Sequence, residues 1–144
     1  MLFSRILVAY DGSNQSKKAL DKAIQLTKAN PFASLEVLHV FDFPRYYFAD
    51  ALVTAPVRPD NHLFELADKT VEEAKEAVAS LANKHHVEMK QGPPAKTILE
   101  YAAEMNSDLI VLGSRGLGAI REFVLGSVSH NVVQHAKVPV LVIK

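Results

Sequence analysis

The 144-residue chain reads as one α/β domain spanning residues 1–144, an open sheet of five parallel strands in the order 3-2-1-4-5 with helices on both faces. Three observations predict this. Short apolar runs alternate along the chain with amphipathic helical stretches, which calls for repeated strand-helix units joined by right-handed crossovers. Two of the runs, Ile6-Leu7-Val8-Ala9 and Leu109-Ile110-Val111-Leu112, are apolar at every position, as central parallel strands are. A third, His86-Val87-Glu88-Met89-Lys90, alternates and is half polar, which suits an edge. The winding then reverses between strands one and four, and a ligand crevice opens at their carboxyl ends.

The elements follow in order. Residues 3–10 form the first strand, whose end delivers Asp11-Gly12-Ser13, a turn into a helix that Ser13 is able to cap. That helix carries Ala19, Leu20, Ala23, Ile24 and Thr27 on one face, and Asn30-Pro31 stops it. The second strand runs from Leu35 to Phe41. From Asp42 to Asp60 the chain holds Pro44, Tyr46, Tyr47, Phe48, Pro56 and Pro59, a long connection of the kind that folds over a site or a partner subunit. Its aromatic content argues against full disorder. Residues 61–84 make a long amphipathic helix, with Leu63, Leu66, Thr70, Ala74, Ala77, Val78 and Leu81 on a stripe and a solvated charged face opposite. After the third strand, Gly92-Pro93-Pro94 breaks the chain before a helix bearing Ile98, Leu99, Ala102 and Met105. Strand four follows at Leu109. The last strand, Val138 to Ile143, is apolar throughout although the topology puts it at an edge. An apolar edge invites pairing, and the simplest solution is a twofold partner, strand five against strand five.

Composition excludes several classes of function. Sixteen basic and sixteen acidic residues cancel and the sequence pI is near 7.0, so no basic stripe argues for nucleic acid. No apolar run approaches the length of a membrane span, and Met1-Leu2-Phe3-Ser4-Arg5 enters a strand too soon to read as a signal peptide. The absence of cysteine fits the cytosol. His85 and His86 point to opposite faces of a strand, while His130 and His135 do not share a helix face, so the histidines have no metal-ligand spacing. No Ser, His and Asp set sits in a recognisable nucleophile turn.

The richest stretch is Gly113-Ser114-Arg115-Gly116, followed after nine residues by Gly126-Ser127-Val128-Ser129. The first glycine lies at the end of strand four. The second group opens a helix in which Val128, Val132 and Ala136 share a face. The first N–H groups of a helix lack intrahelical partners and carry its positive pole, so a phosphate there gains several bonds. Glycine lets the backbone approach the phosphate oxygens, Ser127 and Ser129 offer donors, and Ser114 and Arg115 add polarity opposite. This is not the GxGxxG of a dinucleotide fingerprint. Nor is it a P-loop, because Ala119 and Ile120 stand where Lys and Ser/Thr belong. Binding is therefore expected over fast phosphoryl transfer. Asp11 has two readings: it ties down its own turn, or it faces the crevice, where the family resemblance given below implies contact with ribose or with a phosphate-bound Mg²⁺ through water.

The pattern Gly-x2-Gly-x9-Gly-Ser, preceded by Asp108-Leu109-Ile110-Val111-Leu112 and followed by Val138-Pro139-Val140-Leu141-Val142-Ile143, resembles the universal stress protein family in its ATP-binding branch. Ile6 to Ser13, Leu38-His39-Val40 and Gly92-Pro93-Pro94 extend the resemblance over essentially the whole chain. It implies a Rossmann-like sheet of the adenine nucleotide alpha hydrolase kind, a homodimer through the last strand, and a cytoplasmic ATP-binding protein of the stress response. It also implies that adenine lies near Val40 and Ala9, ribose near Asp11 and Gly113, and phosphates against Gly116, Gly126, Ser127, Val128 and Ser129. Arg115 and Arg121 are candidates for balancing phosphate charge. Two departures bear on adenine fit: Ala9, where some members have proline, and Tyr10, bulkier than the usual residue. Three functions are compatible: a nucleotide-dependent regulator, a slow ATPase with Asp11 and Mg²⁺ positioning water, and a dimeric interaction protein with a structural nucleotide.

Overall fold

The computed structural model describes residues 3–42, 61–115 and 125–144, with residues 61–63 described by their backbone alone. The elements alternate as β1 (Arg5–Ala9), α1 (Asn14–Lys28), β2 (Ser34–Phe41), α2 (Asn61–Val78), β3 (His85–Gln91), α3 (Pro94–Glu104), β4 (Leu109–Gly113), α4 (Ser127–His135) and β5 (Val140–Ile143). All strand pairs are parallel and the order is β3-β2-β1-β4-β5, as the patterning predicts. The long connection after Phe41, and with it Pro44 to Pro59, lies outside the described residues.

Successive strand residues point to opposite faces, and this divides the core in two. Ile6, Val8 and Tyr10 of the first strand and its end, with Leu109 and Val111 of β4, meet Ala19, Leu20 and Ala23 of α1 and Ala74 and Val78 of α2. Leu7, Leu38, Ile110 and Leu112 meet Ile98, Tyr101 and Ala102 of α3 and Val132 of α4 on the other side. The central strands are inaccessible to solvent on both faces, and each large aliphatic side chain so buried contributes about 1.5–3 kcal/mol. The half-polar β3 stands at one edge, its side chains all half-buried or exposed. The four residues of β5 are half-buried at the other edge.

β2 gains Ser34 and β3 gains His85 and Gln91 over expectation, while three elements are shorter than expected, each for a tertiary reason. The first strand is shorter than residues 3–10, because the N–H groups of Ser4 and Arg5 turn to the Asp108 carboxylate at 2.8 and 3.0 Å. The helix predicted over 61–84 stops at Val78, although Leu81 remains buried as its stripe position requires. Beyond it, the Asn83 amide is held by the carbonyls of Thr27, Asn30 and Ala33 at 3.1, 2.9 and 3.0 Å, which draws the chain out of the helix and into register with β2. At the far edge, β5 begins at Val140 rather than Val138. Pro139 has no N–H to give, and its carbonyl accepts from Ile110 at 3.0 Å.

Asp108 ties the amino end of β1 to the start of β4. It accepts from two backbone N–H groups and, at 3.0 Å, from the Ser4 hydroxyl. Burial alone would raise its carboxyl, but these donors outweigh burial and hold it below its ordinary value of 3.8. The stabilisation is therefore complete above the unfolded-state value and is lost as pH falls through the lower folded-state value. Asp108→Ala is expected to cost about 1–2 kcal/mol at neutral pH. Urea denaturation of parent and variant from pH 7 to pH 2.5 checks this, with the difference between them closing below pH 4, roughly where a free aspartate protonates.

Candidate functional site

The site begins where β1 and β4 end side by side. At the end of β1, Ser13 caps α1 by accepting from Ser16 N at 3.2 Å, as its position predicts. Asp11 Oδ1 accepts from Ser13 N at 2.9 Å, and Ser16 Oγ accepts from Asp11 N at 3.3 Å. Asp11 thus ties down its own turn. A carboxylate has about four acceptor positions, so this bond and a nucleotide contact are compatible.

At the end of β4, Gly113 meets α1 at very short range. A Cβ added there would stand 2.7 Å from Gln15 Cβ, 2.9 Å from the Gln15 carbonyl carbon and 3.1 Å from Ser16 N. The missing side chain of Gly113 therefore makes room for the first turn of α1, at a position the family resemblance places near the ribose. Its carbonyl has a separate task, accepting from Ser129 Oγ at 2.6 Å. Ser114, the next residue, is buried; its N–H donates to the Ile143 carbonyl at 2.7 Å and its own carbonyl accepts from Gly126 N at 2.8 Å. Two bonds from the end of β4 thus hold the first turn of α4 in place.

These bonds decide which donors α4 presents. Gly126 is its N-cap and has no side chain with which to cap the helix. The Gly126 N–H is engaged with Ser114, and the Ser129 hydroxyl, expected to face a ligand, is committed to Gly113 and buried. The backbone N–H groups of Ser127, Val128 and Ser129 lie in the first turn, where no intrahelical acceptor exists. The Ser127 side chain is exposed beside them. The first turn of α4 is an uncapped positive pole fixed against the sheet's carboxyl edge.

Ala9, Val40 and Val128 all border the apolar cluster between the sheet and α3 and α4, so the structure gathers these predicted residues on one face. Arg115 is half-buried at the end of β4. Gly116 and Arg121 lie outside the described residues. Tyr10 is not brought to this face. Its ring belongs to the cluster under α1 and α2, so its bulk bears on that core, while its carbonyl meets His39 Nδ1 at 2.9 Å. The strand period puts it there, one residue after Ala9. Sequence reasoning missed Gln15, Ser16 and Glu73 as supports of the site, since none carries a role of its own in a motif, and it quoted His39 within Leu38-His39-Val40 without a role. Among the described residues no cluster of three metal-ligating side chains forms.

A family model, the universal stress protein family, matches residues 2–144. The chain belongs to the universal stress protein family. Universal stress protein YxiE of Bacillus subtilis is 37% identical over 150 residues, covering 99% of this chain and all of that protein. Universal stress protein UspA from Lactobacillus plantarum has a solved structure that superposes with a TM-score of 0.75 at 30% identity, covering 100% of this chain and 99% of that one. Two more distant universal stress protein structures share the fold and are complexes with adenine nucleotides. One holds cAMP (TM-score 0.73, 23% identity, 100% of this chain and 99% of that one), and the other, from Archaeoglobus fulgidus, holds dAMP (0.70, 21%, 100% of each). Among the described residues no helix is long and apolar enough to cross a membrane.

Proposed function

We propose that this universal stress protein binds ATP, with Mg²⁺, in the crevice between the ends of β1 and β4, and acts as a nucleotide-dependent regulator in the cytoplasm. The observation that carries the reading is the uncapped first turn of α4, held by Ser114 and Gly113 against the end of β4. Its N–H groups suit a phosphate. Ala9 and Val40, on the same face, offer an apolar surface for adenine, and Asp11, just past the end of β1, is the group for ribose or a hydrated Mg²⁺. The cAMP and dAMP complexes of distant relatives support the ligand class, since each ligand joins adenine to a phosphate. A change in partner affinity between nucleotide-bound and empty forms is the output. The half-exposed apolar edge of Val140 to Ile143 supports a homodimer through β5.

The test is to purify the protein without added nucleotide, denature it and identify by mass spectrometry what is released per chain. Near-stoichiometric ATP is the expected result and means slow turnover. Released ADP or AMP would favour an ATPase instead. A protein that comes empty and does not bind added Mg-ATP would overturn the reading, leaving α4 as an ordinary helix with a glycine cap.

A further inference from the structure

The turn bearing Asp11 is gripped from the sheet face opposite to Ala9, Val40 and α4. Tyr10 is buried in the cluster under α1 and α2, and its hydroxyl donates to Glu73 Oε2 of α2 at 3.3 Å. Burial, and then the Glu73 carboxylate, push the phenol up to about 12, so the hydroxyl keeps its proton at neutral pH. On the other side of Asp11, Gly12 turns with φ +83°, and Thr70 Cγ2 and Glu73 Oε2 lie 3.8 and 3.9 Å from where its Cβ would stand. Of the two neighbours of Asp11, α2 therefore bonds to Tyr10 and leaves room beside Gly12. An aliphatic residue at position 10 would fill the same core but would place no directional bond there. Glu73 is half-buried and accessible to water, so the bond is not needed to satisfy a sequestered charge. What the bond adds is geometry.

We infer that Glu73, acting through Tyr10, is a positioning residue for Asp11, by which α2 tunes nucleotide binding from the opposite face of the sheet. The effect on binding rests on the nucleotide reading above, whereas the clamp on the turn does not. A group that contacts a ligand needs supports that fix its orientation to a few tenths of an ångström, and a rigid tyrosine ring tied at its far end is such a support.

Three variants test this: Tyr10→Phe, which removes the hydroxyl alone; Glu73→Ala, which removes the acceptor; and Glu73→Gln, which retains one. Amide hydrogen exchange at Gly12 and Ser13 is measured without nucleotide, and ATP affinity is measured by calorimetry in Mg²⁺ and in EDTA. The expected result is faster exchange at Ser13 and about five-fold weaker Mg-ATP binding in Tyr10→Phe and Glu73→Ala, the size that one net hydrogen bond transmits. Binding in EDTA changes little, and Glu73→Gln behaves as the parent. A purely structural role would lower the melting temperature of these variants and leave the Mg²⁺ dependence unchanged. The inference is overturned if Asp11→Ala weakens Mg-ATP while Tyr10→Phe and Glu73→Ala do not. It is equally overturned if exchange at Ser13 is unaltered. A parent that binds no ATP would refute the nucleotide reading and the effect on affinity together, and the exchange rates would still decide whether α2 clamps the turn.

Discussion

Replacing Gly113 by alanine is expected to destabilise the protein by about 3 kcal/mol, the upper end for overpacking an interior. The reason is the identity of the atoms that crowd it. A methyl group there would meet Gln15 Cβ at 2.7 Å and the Gln15 carbonyl carbon at 2.9 Å, atoms that move only if the first turn of α1 moves. That turn carries Ser13 and Ser16, which organise Asp11, so nucleotide affinity should fall with stability. Gly12→Ala is the informative contrast. Space is ample at that position, with nothing nearer than 3.8 Å, and the cost comes from φ +83°, about 1–2 kcal/mol for a residue with a Cβ. Urea denaturation of both variants checks the order. A loss below about 1 kcal/mol for Gly113→Ala would mean that α1 gives way easily, contrary to overpacking of a rigid contact.

Gly126→Asp is expected to move stability and binding in opposite directions. The N-cap conformation at φ −57° and ψ 160° suits any residue, and an aspartate there would accept from the first-turn N–H groups and oppose the helix dipole. Because glycine is already a fair N-cap, the gain is modest, about 0.5 kcal/mol. The same carboxylate would occupy the donors proposed for phosphate and repel its charge, reducing ATP affinity by about a hundredfold, or 2.7 kcal/mol. Thermal unfolding of the empty protein and calorimetric titration with ATP measure the two effects. Undiminished affinity in a folded Gly126→Asp variant would place the phosphates elsewhere. A loss of stability with no loss of binding would show that the chain at Gly126 serves the fold alone.

Much of the fold was legible along the chain because its signals are periodic and local. Ile6 to Ala9 and Leu109 to Leu112 are apolar at successive positions, and strands with that composition have no stable place except the middle of a covered sheet. Ser13 sits one residue before α1 and caps it. The glycines and serines around residues 113 and 126 likewise marked the place where a strand end and a helix start meet. The individual role of each was not legible. Gly113 looked like room for a ligand and is room for α1, and Ser129 looked like a ligand donor and instead donates to Gly113. The end of α2 was also misread, because Ala79 to Lys84 has no residue that breaks a helix. What ends the helix is the bond of Asn83 to three carbonyls from a segment about fifty residues away.

The sequence by itself determined the strand order, the covered faces, the family and the neighbourhood of the candidate site. The family follows from the resemblance of its motifs, and the rest from hydrophobic periodicity, helix caps and glycine spacing, which act over a few residues. The tertiary structure alone decided which donors of α4 remain for a ligand, why Gly113 must lack a side chain, and that Tyr10 is held by Glu73 on the far side of the sheet. Each of those depends on atoms 12 to 98 positions apart in the chain meeting within a few ångströms, a distance that no local pattern encodes.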